Sequence, residues 1–255
     1  PACFGRDSEW ETCRDLTRRP APAANSTLKK MNDCDMDYLV PDGTGLETIR
    51  DLLQVRCRFL EEPTRTLSRT FFDTFDWALF ARDATLEERR SGSCRMLVLQ
   101  DLHAESLPSE QGTDGAPGFG WDLPPGPVRE RVAPIVGVRC LLPLLHVETE
   151  SQTLRLLDED DKTVARVVVE RNRFDDPTRE RRGALSARLH LLSVKGYVKE
   201  YKAIARTLEQ DLGLDAARTP LILEALAAAG RQPGAYSSKL DYHLDPGRRA
   251  DASTK

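Results

Sequence analysis

The chain has 255 residues, which is enough for one large domain or for one domain with appendages. Hydrophobic residues make up 40% and charged residues 31%, a balance typical of a folded, water-soluble protein. The net charge of −4 gives no general attraction to nucleic acids, and no apolar run is long enough to cross a bilayer. We therefore expect neither nucleic acid nor a membrane as a partner.

The N-terminal part of the sequence predicts an irregular arm, then a strand and a helix. Residues 1–32 show no sustained period and contain the sequence R-P-A-P-A. A short alternating segment over 33–40 predicts a strand. Over 45–54, leucine and isoleucine recur at helical spacing, which predicts an amphipathic helix.

The middle of the chain predicts two strands and a long connection. Residues 66–74 are rich in β-formers, and residues 94–102 alternate in the manner of a strand. Between them, residues 76–82 are expected to form one or two helical turns. Residues 104–127 are rich in Gly, Pro, Ser and Glu, which indicates a long loop or an insertion.

The C-terminal half predicts more strands and then two helices. Four strands are expected, over residues 135–142, 145–157, 163–170 and 184–193. The polar sequence D-E-D-D-K between the second and third of them predicts a hairpin turn. Helices are expected over 199–212 and 220–229, the second ended by Gly230. Seven or eight strands with flanking helices favour an antiparallel barrel over a doubly wound sheet.

Cysteine and histidine give no catalytic or redox motif. No cysteine pair has the C-x-x-C spacing of a metal or redox site, so we expect reduced thiols in a cytoplasmic protein. The histidines are scattered, and no nucleophile motif accompanies them. No catalytic residue can be assigned from the sequence.

Several motifs occur in the order typical of one family. Residues 71–76 read F-F-D-T-F-D, and after Leu79 residues 85–89 read T-L-E-E-R. This resembles the motif Y-F-D-T-P-D, then L, then T-L-R-x-R, of the CYTH domain, the β-tunnel domain of the triphosphate tunnel enzymes. Two later segments resemble the family's central hairpin and its junction with a following CHAD domain, namely residues 154–165, and residues 195–197 with 237–240.

The resemblance implies a fold and a domain organisation. The expected fold is α+β, an antiparallel eight-stranded β-tunnel with flanking helices, formed by residues 33–215. Residues 1–32 would be an irregular arm. Residues 216–255 would form a C-terminal helix and a tail leading toward a CHAD domain in the same polypeptide.

The resemblance also implies a ligand, which is a triphosphate or polyphosphate held with Mg²⁺ or Mn²⁺. Paired carboxylates two residues apart on a strand offer hard oxygen ligands on one face. Asp33 and Asp35 take that place here, as the candidate metal ligands. Arg89, Arg95 and Arg139 are the candidate phosphate-binding residues, and only Arg89 lies within a family motif.

The sequence departs from the family pattern where positive charge is expected. A lysine position holds Asp37, the first arginine of T-L-R-x-R is Glu87, and a further lysine position holds Gln100. Glu148 and Ser151 stand where two arginines are expected. Acids within a basic cavity would repel a triphosphate.

Two functions follow from the resemblance and these departures. The first is a degenerate CYTH domain that acts as a binding or scaffold module and is linked to polyphosphate through a CHAD domain. The alternative is a metal-dependent triphosphatase acting on inorganic triphosphate or a nucleoside triphosphate. The sequence leaves open whether the protein is an enzyme.

Overall fold

The computed structural model describes residues 35–102 and 108–235. Its strands are β1 (Met36–Leu39), β2 (Arg58–Glu61), β3 (Arg65–Asp73), β4 (Ala84–Ser91), β5 (Cys94–Asp101), β6 (Ser109–Gly112), β7 (Leu142–Leu157), β8 (Thr163–Asp176), β9 (Arg181–Ala184), β10 (Arg188–Ser193) and β11 (Asp215–Ala216). Its α-helices are α1 (Leu46–Arg56), α2 (Pro127–Val136), α3 (Val198–Asp211) and α4 (Leu221–Ala228). A 3₁₀ turn spans Phe80–Arg82. No helix in the described ranges is long and apolar enough to span a membrane.

All the strands belong to one antiparallel sheet. Its order is β11-β1-β10-β8-β7-β3-β4-β5-β6, with β2 added beside β7 and β9 beside β8. The expected α+β class with an antiparallel sheet is confirmed. The sheet differs from the expected eight-stranded tunnel in two ways, because eleven strands form in the described ranges and the edge strands β6 and β11 do not pair with each other there.

One side of the sheet, which we call the helix-packed face, is covered by three helices. Side chains alternate between the two faces of a strand, so every second apolar residue lies on this side. Helices α1 and α3 bury Leu154, Leu156 and Leu191 of the central strands. Helix α2 covers the other half with a row of valines at four-residue spacing, which packs against Leu86 and Leu97. These two apolar layers form most of the core.

The predicted strand over 135–142 is wrong. Residues up to Val136 belong to α2, Gly137 ends the helix with a positive φ of 60°, and β7 begins only at Leu142. Pro127 opens the helix, where a proline loses no backbone hydrogen bond. Strand β6 also lies within the segment expected to be a long loop, which ends at Pro127, the first residue of α2.

The β7–β8 hairpin is the clearest prediction to be confirmed. The side chain of Asp158 accepts hydrogen bonds from the backbone N–H of Asp160, at 3.0 Å, and of Lys162, at 2.8 Å. These bonds close the turn as an Asx-type motif. The predicted arm over 1–32 lies outside the described residues, and the division of the chain at residue 215 stays a prediction.

Candidate functional site

The face of the sheet opposite the helix-packed face carries most of the polar side chains at the centre of the molecule. Strand pairing places Arg69 beside Arg89, Thr149 beside Asn172, and Asp37 beside His190, all on this side. We call it the polar face, and its main charged or hydrogen-bonding members are Asp37, Arg69, Glu87, Arg89, Thr149, Arg155, Arg166, Glu170, Asn172, Arg188 and His190.

A single carboxylate binds two arginines on the polar face. Nε of Arg89 donates to Oε1 of Glu87 at 2.7 Å, and Nε of Arg69 lies 3.9 Å from Oε2 of the same residue. Glu87 is 5% exposed, so water screens these charges poorly. One of the two positive charges is thereby neutralised within the site. We call these three residues the Glu87 cluster.

A second group holds a histidine between two acids. Nδ1 of His190 lies 2.7 Å from Oδ1 of Asp37, and Nε2 lies 3.2 Å from Oε2 of Glu170. Burial alone would lower the pKa of His190. The hydrogen bonds and negative charges of Asp37 and Glu170 outweigh burial and raise this pKa to about 9. The imidazole is therefore protonated at neutral pH, and the His190 cluster carries a net charge of about −1 when both acids are ionised.

Several buried donors on the polar face have no hydrogen-bond partner among protein atoms of the described ranges. The side-chain oxygen of Asn172 accepts a hydrogen bond from the Thr149 hydroxyl at 2.7 Å, and its amide nitrogen is left over. The unpartnered donors are Nδ2 of Asn172 and Nε of Arg69, Arg155 and Arg188. Buried polar atoms are normally satisfied. The donors on Arg69, Asn172 and Arg188 therefore favour an anionic ligand that accepts from them.

Helix α4 covers one end of the polar face. Its apolar side chains pack on Phe71, Leu145, Val147 and Phe174. Beyond the helix, the guanidinium of Arg231 binds the fully buried carboxylate of Asp176. Hydrogen bonds from Arg231 hold the pKa of Asp176 at about 2. This end of the face is closed by packed side chains.

The motif that carries the family resemblance forms a structural turn. Oδ1 of Asp73 accepts from the backbone N–H of Thr74 and Leu79, and Oδ2 accepts from that of Phe80, at 2.7–2.9 Å. The Thr74 hydroxyl donates to Asp76 at 2.7 Å and accepts from the Ala78 N–H at 2.9 Å. Burial raises the pKa of Asp73, and these backbone hydrogen bonds oppose the rise. Asp73 and Thr74 thus cap the 3₁₀ turn and take no part in the polar face, whereas Glu87 and Arg89 of the T-L-E-E-R segment lie on it.

Only one of the two predicted metal ligands lies in the described part of the chain. Asp33 lies outside it. The carboxylate of Asp35 accepts from the backbone N–H and the hydroxyl of Ser193 at 2.9 and 3.0 Å. No group of three His, Cys, Asp or Glu residues is placed to hold an ion within the described residues. A Mg²⁺ or Mn²⁺ ion needs several oxygen ligands at once, and metal binding by Asp33 and Asp35 stays a prediction.

The three predicted phosphate-binding arginines are not brought together. Arg89 lies on the polar face within the Glu87 cluster. Arg95 lies on the opposite face, 3.5 Å from Glu88. Arg139 follows α2 and binds Asp76 at 2.9 Å. Phosphate binding by these residues stays a prediction, and only Arg89 has a position that suits it.

The strand register also shows on which face of the sheet each departure from the family pattern lies. Asp37, Glu87, Gln100 and Ser151 lie on the polar face. Glu148 is exposed on the other side, because it pairs with Ser68, which in turn pairs with Arg90. Sequence reasoning missed the unpartnered donors altogether. The alternation of the β7–β8 hairpin would have placed Arg155 and Asn172 on one face.

The cysteines of the described ranges differ in oxidation state. Cys94 is disulfide-bonded, whereas Cys57 and Cys140 are free thiols. Burial raises the pKa of the Cys57 thiol. The expectation of reduced thiols throughout the chain is therefore wrong for Cys94.

Comparison with known proteins gives a likeness of fold. No protein-family model matches the chain, and no curated protein matches it. Among solved structures, the chain is similar to HpAC1 from Hippeastrum, described as an adenylyl cyclase candidate with a dominant triphosphatase activity. The TM-score is 0.51 at 13% identity, over 80% of this chain and 99% of that one.

Two other structures align less well. An adenylate cyclase candidate from Bacillus halodurans has a TM-score of 0.45 at 11% identity, over 73% of this chain and 92% of that one. A protein from Pyrococcus horikoshii has a TM-score of 0.42 at 12% identity, over 76% and 94%. The likeness to the Hippeastrum protein shows a shared fold, and at that level it confirms the CYTH-like resemblance.

Proposed function

We propose that this protein binds a phosphate-rich anion on the polar face and does not hydrolyse it. The observation that carries the proposal is the set of buried, unpartnered donors on Arg69, Asn172 and Arg188. Donors of this kind bind phosphate oxygens through charge-assisted hydrogen bonds. A triphosphate is the first ligand to test, because the similar Hippeastrum protein is described as having triphosphatase activity.

The Glu87 cluster is the reason to expect binding without turnover. Phosphoryl transfer depends on positive charge placed around the transferred group. Glu87 neutralises part of the charge of Arg69 and Arg89 at short range. Among the described residues there is also no cluster of three or more His, Cys, Asp or Glu side chains that could hold a metal ion. This combination supports a binding role, and the alternative of a metal-dependent triphosphatase rests on the fold likeness and the motifs.

The further expectations from the resemblance remain predictions. They are a polyphosphate ligand, a CHAD domain in the same polypeptide and a cytoplasmic location. The disulfide at Cys94 weighs against the last, because disulfides persist mainly in oxidising compartments.

The decisive experiment measures triphosphate binding and hydrolysis in parallel. Isothermal titration should detect binding that weakens as salt rises. Phosphate release with Mg²⁺ or Mn²⁺ should stay far below about one turnover per second, the low end of ordinary enzyme rates. Turnover at or above that rate would refute the non-catalytic role, and no binding at low salt would refute the anion site.

A charge variant makes the test specific to the polar face. Glu87→Gln removes a negative charge beside Arg69 and Arg89. At an effective dielectric constant of about 20, a carboxylate about 5 Å from a bound phosphate repels it by roughly 3 kcal/mol. We expect triphosphate to bind at least tenfold tighter to this variant. The matched control is Glu88→Gln, because the next residue along β4 is a buried acid that faces the other way. Equal effects of the two changes would contradict the proposed site.

A further inference from the structure

Two arginines lie directly opposite each other at the end of the polar face that α4 does not cover. Arg155 of β7 pairs in register with Arg166 of β8, close to the tip of the hairpin. Arg166 is exposed, and Arg155 is half-buried with a buried Nε that lacks a partner. Neither forms an ion pair with any acid in the described ranges. We call them the arginine pair.

The residues in direct register with the arginine pair, and the next ones on this face of β7 and β8, are uncharged. Across the sheet, Leu60 lies beside Arg155 and Leu192 beside Arg166. Along the strands, the next residues on the same face are Thr153 and Val168. No neighbouring carboxylate in register therefore offsets the two charges.

Other arginines of the polar face each have an acidic partner. Arg69 and Arg89 share Glu87, Arg65 lies 3.5 Å from Glu62, and Arg188 binds Glu224 at 2.8 Å. Like charges directly opposite on neighbouring strands destabilise a sheet. The unpaired arrangement thus carries a stability penalty that a bound anion would remove.

We propose that Arg155 and Arg166 form a second anion site, which takes one phosphate group. Directly opposite residues have Cβ atoms about 5 Å apart, so both guanidinium groups can reach the same phosphate. Each can donate two parallel hydrogen bonds to its oxygens. The exposure of Arg166 gives the anion a path from solvent.

The phosphate group can come from two sources. The length of strand between the arginine pair and the donors on Arg69, Asn172 and Arg188, which we call the central donors, distinguishes them. Arg69 lies in register with Val147, eight residues before Arg155 on β7. At about 3.3 Å per residue the strand covers roughly 26 Å, well beyond the length of three linked phosphates. One source is a separate small phosphate anion. The other is the far end of a long phosphate chain bound at the central donors, and this source alone rests on the function proposed above.

The test compares the parent protein with the double variant Arg155→Gln/Arg166→Gln. Binding is measured by titration with orthophosphate, triphosphate and a phosphate chain of more than about ten units, long enough to cover that length of strand. We expect the double variant to lose at least tenfold in orthophosphate affinity. If the chain bridges both sites, the variant also loses at least tenfold for the long chain, while triphosphate at the central donors is little changed.

The matched control is Arg171→Gln/Arg173→Gln, which removes two exposed arginines from the opposite face of the same strand. This control should bind all three anions as the parent does. A melting temperature of the anion-free Arg155→Gln/Arg166→Gln protein at or above that of the parent would show that it folds and that the two charges repel.

The outcomes separate the two proposals. Equal orthophosphate affinity in parent and double variant would overturn the arginine pair as a site, and so would an equal loss in the control. Triphosphate binding that disappears in the Arg155→Gln/Arg166→Gln protein, together with the orthophosphate loss, would overturn the central function and leave the arginine pair supported.

Discussion

The His190 cluster predicts that the fold weakens in mild alkali. The imidazolium is held between Asp37 and Glu170, and its pKa is about 9, against about 6.5 for an ordinary histidine. A pKa raised in the folded state adds stability that is complete below about pH 6.5 and is lost as pH rises through about 9. At about 1.36 kcal/mol for each pKa unit, the contribution amounts to about 3 kcal/mol.

The measurement is urea unfolding of the parent and of His190→Gln at several values between pH 6 and pH 9.5. The difference in unfolding free energy between the two proteins should shrink by about 3 kcal/mol over that range, because only the parent has the titrating group. The control is His146→Gln, since His146 lies on the helix-packed side of the sheet and bonds to the Thr70 hydroxyl at 2.9 Å. A difference that does not change with pH would show that His190 is not held as an imidazolium.

Three further predictions concern stability. Asp73→Asn should lower the unfolding free energy by about 2 kcal/mol, since one of its cap oxygens becomes a donor facing a backbone N–H, and an unchanged melting temperature would contradict the capping role. Asp176→Ala should cost about 3–5 kcal/mol by leaving a buried guanidinium unpaired, whereas the exposed neighbour change Asp175→Ala should cost little in the same urea titration. Reductant should lower the melting temperature of the parent and of Cys140→Ser but not of Cys94→Ser. An unchanged melting temperature of the parent in reductant would contradict the disulfide.

Local sequence patterns predicted the central hairpin but not the helix before it. Alternating β-formers on either side of a polar turn leave few alternatives to β7–β8. The sequence predicts a strand at the end of α2, because the apolar run from Ile135 includes β-branched residues. Its helical face depends on Val128, Val132 and Val136 packing against the sheet, a tertiary contact that outweighs local preference.

The candidate site was predictable only in part, for a similar reason. Glu87 is a notable departure because the family motif has an arginine at its position. The structure places Glu87 on the polar face. Glu148 was grouped with it although it faces the other way. A shift of one residue moves a side chain to the opposite face of a sheet, and motif spacing does not fix which face that is. The arginine pair depends on the register between two strands, which no single segment encodes.

The closed end under α4 limits how an extended ligand could move. Apolar packing of the helix on Phe71 and Phe174, with the buried Asp176 salt bridge behind it, leaves no polar route through that end. A chain-like anion would enter and leave by the side near the hairpin tip. It could not be threaded past the closed end one unit at a time, so each encounter would be a single docking event rather than a processive passage.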